Sequence, residues 1–273
     1  MRIAHVSDLH VGRAPSTERA CYSLVAALLD AAIDHVVVTG DVTHNGRLDE
    51  LIVFRRIFGP LIAAGRLSVV PGNHDRLGDD VGRNLMGGGK RVDMVPLPGV
   101  HLVRIDSTGA HNRSRIAAHG VLDGNDLDMI DNALDKAPAG HLVALALHHH
   151  PLPLPEETLV ERVAQALGWP NAAELAAGRE LVARAQGRCD LILHGHRHIP
   201  RMQVLFPDGD RPLRLHNAGS SSEQVRARIF QIEQGRLVTT PSWLAPVGER
   251  VVDDRGERAA PERGTAVLVP SDA

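Results

Sequence analysis

Short apolar runs alternate in the first part of the chain with stripes at helical spacing, and each run stops at a cluster of small and polar residues. Ile3 to Val6 ends in Ser7-Asp8, the pattern of a strand running into a loop. Cys21, Leu24, Val25, Leu28 and Leu29 then recur at intervals that share one helix face. Val36 to Val38 is the next strand and ends at Gly40-Asp41, while Leu51, Phe54, Phe58, Leu61 and Ile62 form a second helical stripe before Gly65. Leu67 to Val70 closes a β-α-β-α-β unit at Pro71-Gly72. Open α/β sheets bind ligands at the carboxyl edge of their strands, so the polar clusters fall where a site is expected.

Further on, Val100 to Ile105 and Leu142 to Leu147 read as strands, and Leu127, Ile130 and Leu134 as one face of a helix starting near Asp123. Beyond Pro151, Pro153 and Pro155, helical patterns over 156–167 and 171–186 flank Gly168-Trp169-Pro170 and predict an insertion, 152–186, beside the site. Strand patterns follow at Leu191 to Leu193, Met202 to Phe206, Leu213 to Leu215, Arg228 to Ile232 and Leu237 to Thr239, with Gly and Asp turns between them. They predict a second sheet. Past Trp243 the chain is poor in apolar residues except at Ala266 to Val269. The expected organisation is one domain over 1–245 with a C-terminal extension over 246–273.

With 273 residues, 43% hydrophobic and 23% charged, the chain has the composition of a folded globular protein. A net charge of -3 gives no electrostatic reason to expect a nucleic-acid or anionic-membrane partner. Aromatic residues at 3% are too few for base-stacking platforms, so a small substrate fits better. Cys21 and Cys189 sit in apolar stretches and read as buried thiols. Asp8 comes too early for a secretory segment and no apolar stretch is long enough to span a bilayer, which predicts a cytoplasmic protein without membrane insertion. A homo-oligomer is compatible with all of this.

The chemistry lies in the strand-end clusters: Asp8-Leu9-His10, Gly40-Asp41, Gly72-Asn73-His74-Asp75, His148-His149-His150-Pro151 and Gly195-His196-Arg197-His198. Their oxygen and imidazole donors suit Mn, Fe, Zn or Co. Asp8 and His10 can turn toward one ion once the chain leaves the pleat. Asp41 can place one oxygen on each of two ions, with Gly40 letting the backbone approach. Asn73 adds a neutral oxygen, and His196, His198 and one imidazole of the His148 to His150 run complete more donors than one ion can use. Two divalent ions about 3.5 to 4 Å apart activate a water and clamp the oxygens of an in-line displacement at phosphorus. His74 is the candidate to stabilise charge or protonate a leaving oxygen, and Asp75 to orient its ring. His44, His150 and Arg197 are candidates for substrate contact, although His44-Asn45-Gly46 also reads as a simple turn. Arg76, Arg113 and Arg115 carry forks suited to phosphate, with solvation or ion pairing as the simpler reading. His5, His35, His101, His111, His119, His141 and His216 have no partner cluster and read as core or surface polar residues.

In their order the clusters resemble the calcineurin-like metallophosphoesterases, whose Asp-x-His, Gly-Asp, Gly-Asn-His-Asp/Glu, histidine block and Gly-His-x-His are matched from Ile3 to His198. The resemblance implies an α/β fold, a four-layer α-β-β-α sandwich of two mixed sheets flanked by helices. It implies two divalent ions, one on Asp8, His10, Asp41 and His198, the other on Asp41, Asn73, His149 and His196, with His74 in catalysis. The family's His-His-Pro form selects His149, turning His148 away and leaving His150 near the substrate or under Pro151. The implied activity is phosphoester hydrolysis by a metal-bridging hydroxide. The His-His-Pro form is similar to bacterial class III phosphodiesterases, which implies a cyclic-nucleotide or glycerophosphodiester substrate. A phosphomonoesterase, a nucleoside polyphosphate hydrolase and a non-catalytic metal-binding regulatory module remain the alternatives. A metallohydrolase acting on carbonyls is the further alternative, and neither the His-x-His-x-Asp-His cluster of the metallo-β-lactamase fold nor the opening His-x-His expected of amidohydrolases is present in this chain.

Overall fold

The computed structural model describes residues 1–154 and 174–246, together with the backbone of 267–270. The helical pattern over 156–167 and the start of that over 171–186 lie outside these residues.

β1 (Arg2–Val6), β2 (His35–Thr39) and β3 (Leu67–Val70) run parallel, and α1 (Pro15–Asp30) and α2 (Leu48–Ile57) connect them. Antiparallel β10 (Ala227–Glu233) and β12 (Ser242–Ala245) extend this sheet beyond β1. β11 (Arg236–Leu237) pairs with β10, and β13 (Val267–Pro270) with β12. The second sheet has the order β4-β5-β6-β7-β9-β8. In it β5 (Val100–Ile105), β6 (Leu142–Ala146), β7 (Leu191–His194) and β9 (Leu213–Asn217) are parallel, with β4 (Val92–Leu97) and β8 (Arg201–Leu205) antiparallel at the edges.

The pleat sorts the apolar residues into layers, because successive side chains point to opposite faces. On β1 and β2, Ala4, Val6, Val36 and Val38 pack outward under Cys21, Leu24 and Leu28 of α1 and Leu51, Phe54 and Ile57 of α2. Ile3 and Val37 point inward and meet Leu102, Ala144 and Leu193 of the second sheet. The outer face of that sheet, with Val103, Val143, Leu145 and Ile192, is covered by Leu127, Ile130 and Leu134 of α4 (Gly124–Asp135) and Leu181 and Ala185 of α5 (Gly178–Ala185). The result is the four-layer sandwich of two mixed sheets expected from the resemblance. α4 starts at Asp123, whose side chain accepts the Asp126 amide at 2.8 Å.

Three local expectations are refined. The stripe from Leu51 to Ile62 is two helices, α2 and α3 (Gly59–Ala63), because Pro60 has no amide hydrogen to continue the first. β4 carries Pro96, which hides it from a strand pattern and is tolerated because β4 is an edge strand. Of the helical pattern over 171–186, the described residues form α5 over Gly178–Ala185. Cys21 and Cys189 are buried free thiols, and burial pushes each up to about 12. Among the described residues no helix is long and apolar enough to cross a membrane.

The carboxyl ends of β1, β2 and β3 in one sheet and of β6 and β7 in the other meet at a single edge of the sandwich. All five clusters lie on the segments that leave those ends.

Candidate metal centre

Four of the site residues leave their strands in the left-handed backbone region: Asp8 (φ 52°), His10 (φ 46°), Asp41 (φ 50°) and His196 (φ 70°). For a residue with a Cβ this costs roughly 1–2 kcal/mol. The surrounding packing holds the strain, and it turns side chains at strand ends toward the space between the sheets.

Asp41 is held by one oxygen. Its Oδ1 accepts the His74 amide at 2.8 Å, while Oδ2 lies 3.8 Å from His10 Nε2 and 3.5 Å from His148 Nε2. A single oxygen therefore faces both groups of donors, in place of the expected one oxygen for each. Asp8 repeats the device, since its Oδ2 accepts the His196 amide at 3.1 Å. Its Oδ1 is buried without a hydrogen-bond partner, 3.5 Å from His198 Nε2 and 4.0 Å from His10 Nε2. Such tight placement requires glycine beside each carboxylate. A Cβ on Gly72 would lie 2.2 Å from Asp41 Oδ1, and one on Gly195 would lie 2.6 Å from Asp8 Oδ2.

The first donor group is Asp8, His10 and His198, whose ligating atoms lie within 4.8 Å of one another, with Asp41 Oδ2 beside them. The second gathers on Asn73 Oδ1, which is 3.1 Å from His148 Nε2 and 3.0 Å from His196 Nδ1. His148 Nδ1 donates to the Thr39 carbonyl at 2.8 Å. Its Nε2 therefore carries a lone pair toward two other acceptors, Asn73 Oδ1 and Asp41 Oδ2, an arrangement that a cation between them resolves. Burial pushes the imidazoles of His10, His148 and His196 down, which keeps them neutral and ligand-ready. Burial also raises the carboxyls of Asp8 and Asp41, so neutralising charge is what this pocket lacks. The residues fit divalent ions.

His149 offers a ring nitrogen within 4.8 Å of those of His148 and His196, and both of its nitrogens also have partners on the outer side. Its Nδ1 faces Ser107 Oγ at 2.8 Å and its Nε2 the Ala118 carbonyl at 2.9 Å, although its ring is 4.9 Å from that of His196. The pleat separates the two histidines: Leu142, Ala144 and Ala146 point inward and Val143, Leu145 and Leu147 outward, so His148 continues the inward series.

His74 stands beside the first group, its ring 4.7 Å from that of His10. Its Nδ1 donates to the His44 carbonyl at 2.8 Å, so the main chain orients it. Asp75, expected to do this, is turned away and fully buried. It accepts from the amides of Gly72 (2.9 Å), Thr43 (2.8 Å) and Val42 (3.3 Å) and from Thr43 Oγ1 (2.6 Å), joining the loops after β2 and β3. Burial, and then Asp41, pushes its carboxyl up to about 6. The His44 ring stacks on His74 at 5.5 Å. His150 and Arg197 are buried, with the His150 ring stacked 5.6 Å from His196. Arg76 is committed to Asp80 at 2.6 Å.

Sequence patterns did not reveal the outer partners. Glu223 Oε2 lies 3.7 Å from His198 Nδ1, and Arg13 pairs with Glu223. Burial lowers the His198 imidazole, but Glu223 and then Asp8 outweigh it and hold the group up to about 9. Glu223 itself is held down to about 2, first by His198. The one sequence cue was Ser220 three residues before Glu223, a helix-start pattern, and Ser220 Oγ indeed accepts the Glu223 amide at 3.4 Å. Ser220 and Ser222 also donate to the Asp8 carbonyl at 3.0 and 3.2 Å, bracing the first cluster.

The sequence profile of the calcineurin-like phosphoesterases matches residues 1–200. The chain belongs to that family and is a hydrolase acting on phosphoesters. It is 29% identical over 213 residues to a 3′,5′-cyclic adenosine monophosphate phosphodiesterase, CpdA, of Pseudomonas aeruginosa, covering 78% of this chain and 70% of that protein. Among solved structures, a dimetal phosphatase from Danio rerio superposes with a TM-score of 0.60 at 12% identity, over 100% of this chain and 99% of that one. A purple acid phosphatase from yellow lupin gives 0.59 at 12% identity, over 89% of this chain and 51% of that one. At these identities the two structures establish the shared fold.

Two outcomes follow from the geometry. Asp75→Ala strands buried donors in both loops and is expected to cost about 3 kcal/mol in urea unfolding of the metal-loaded protein. Unchanged stability with lost turnover would return Asp75 to catalysis. Because the His198 imidazole is held up to about 9, metal must displace its proton at neutral pH, and metal affinity is expected to rise as pH increases from 7 toward 9. Glu223→Gln should flatten that dependence in calorimetric titrations, and an equally steep dependence would disconnect Glu223 from the site.

Proposed function

We propose that Asp8, His10, Asp41 and His198 hold one divalent ion and Asp41, Asn73, His148 and His196 a second, and that this centre hydrolyses a small phosphodiester. The observation that carries the proposal is Asp41 Oδ2, set between His10 and His148 at 3.8 and 3.5 Å while the other oxygen is tied to the main chain. Nitrogen and oxygen donors of this kind accept Mn, Fe, Zn or Co, with manganese or iron the favoured pair. When bound, such ions lower the pKa of water to about 7 and offset charge on the phosphoryl oxygens.

The chain's own residues supply the rest. Asp41 and Asp8 fix the separation of the two donor groups, because each is anchored by a backbone amide. Thr39 fixes the tautomer of His148 through its carbonyl. His74 keeps its Nδ1 proton on the His44 carbonyl, so Nε2 is the nitrogen left to exchange a proton with the site: in the doubly protonated ring it gives that proton to the leaving oxygen and returns to the neutral Nδ1–H form. The likeness to a cyclic-nucleotide phosphodiesterase supports the diester reading. Hydrolysis of phosphomonoesters or nucleoside polyphosphates would use the same groups.

Protein loaded separately with Mn, Fe, Zn and Mg is to be assayed on bis-p-nitrophenyl phosphate, p-nitrophenyl phosphate, cyclic AMP and a glycerophosphodiester. Diester turnover above monoester turnover is expected; two bound ions without turnover on any of them would point to a regulatory module instead. His74→Asn should keep both ions and lower kcat by about 10²–10⁴-fold. In metal analysis His148→Ala should lose one ion per chain and His149→Ala should keep both, and the reverse result would restore His149 as the ligand.

A further inference from the structure

Next to the metal centre, a groove of about 700 Å³ is lined by Asn45, Arg47, Leu77, Asp79, Arg113 and Arg115. Two of its lining residues lie on loops that also carry site residues. Asn45 directly follows His44, and Leu77 closes the turn begun by His74, its amide donating to the His74 carbonyl at 3.2 Å.

The arginines of the groove are not equivalent. Arg47 is paired with Asp49 at 2.9 Å and Arg113 with Asp80 at 3.5 Å. Arg115 donates instead to the neutral Oδ1 of Asn45, and among the described residues it makes no ion pair. Asn45 cannot swing aside. Its Nδ2 and its backbone amide donate to the two oxygens of Glu50 at 2.9 and 2.8 Å, and Glu50 is buried. The Asn45 oxygen therefore props the guanidinium at the groove wall while the remaining N–H donors stay available. The charge of Arg115 reaches the site, where, after burial and His74, it helps to lower the His44 imidazole. A propped guanidinium without a carboxylate partner, one residue from the loop that orients His74, is suited to a phosphate group bound through two parallel hydrogen bonds.

We propose that the groove receives a second phosphate group of the substrate, beyond the scissile phosphorus, and that Arg115 is the residue that selects for it. The inference rests on the phosphoesterase reading above and narrows its substrate class to esters carrying two phosphates.

The test compares thymidine 5′-(p-nitrophenyl phosphate) with the same ester bearing a 3′-phosphate, so that the leaving group is constant. The wild-type, metal-loaded protein is expected to prefer the doubly phosphorylated ester, mainly through KM, and the preference should shrink as salt rises. In Arg115→Ala the ratio of the two kcat/KM values should fall by about tenfold or more, with Arg115→Lys retaining part of it. An unaltered ratio, including one produced by an equal loss on both esters, overturns the proposal. If neither ester is turned over, the phosphodiesterase reading fails, and calorimetry with pyrophosphate and phosphate then tests the groove by itself. Tighter pyrophosphate binding that is lost in Arg115→Ala supports the groove; an equal effect on both anions, or none, overturns it.

Discussion

Each of the two aspartates at the centre gives one oxygen to a backbone amide and leaves the other bare in a buried space, and the rest of the site is arranged around that division. The amide that holds Asp8 belongs to His196, on the segment that follows β7 of the other sheet, and the amide that holds Asp41 belongs to His74, on the loop after β3. The hydrogen bonds thus tie separate strand ends together and set where the bare oxygens point. They demand close approach, which is why glycine stands at 72 and 195, and they demand left-handed backbone at Asp8, Asp41 and His196. Two carboxylates pressed together away from water disfavour their own ionisation. Cations between them reverse that cost, so metal binding and the integrity of this edge are coupled.

The fold makes the arrangement possible by presenting two sets of strand ends at one edge. The inner layer, with Ile3, Val37, Leu102, Ala144 and Leu193, holds the sheets against one another. A shift between them would move His148 and His196 away from Asp41 and Asn73. Well-packed elements place ligands more reproducibly than loops do. Here even the donor side chains that follow strand ends are pinned by main-chain contacts, such as the Thr39 carbonyl on His148.

Much of this was legible in the sequence, for reasons that differ between parts. The strands β1 to β3 and the helical stripes between them were readable because apolar period and polar stop coincide, and the five clusters because each sits at such a stop. Which histidine of the His148 to His150 run faces Asn73 and Asp41 was not readable. β6 is buried on both faces, Leu142 to Ala146 alike, so no alternation of polar and apolar residues marks which side faces the other sheet. Asp75 misled because adjacency to His74 suggested a side-chain partner where the fold uses the His44 carbonyl. Glu223 with Arg13, and Arg115 with Asn45, are separated by 210 and 70 residues. Pairings of that span depend on the finished topology, and no local pattern announces them.

The central claim is that one oxygen of Asp41 lies between two ions. Anomalous diffraction from crystals of the manganese-loaded protein measures this directly. Two peaks about 3.5–4 Å apart, one beside His10 and His198 and the other beside Asn73, His148 and His196, with Asp41 Oδ2 between them, are the predicted result. A single ion, or a pair with Asp41 bound to only one of them, would contradict it.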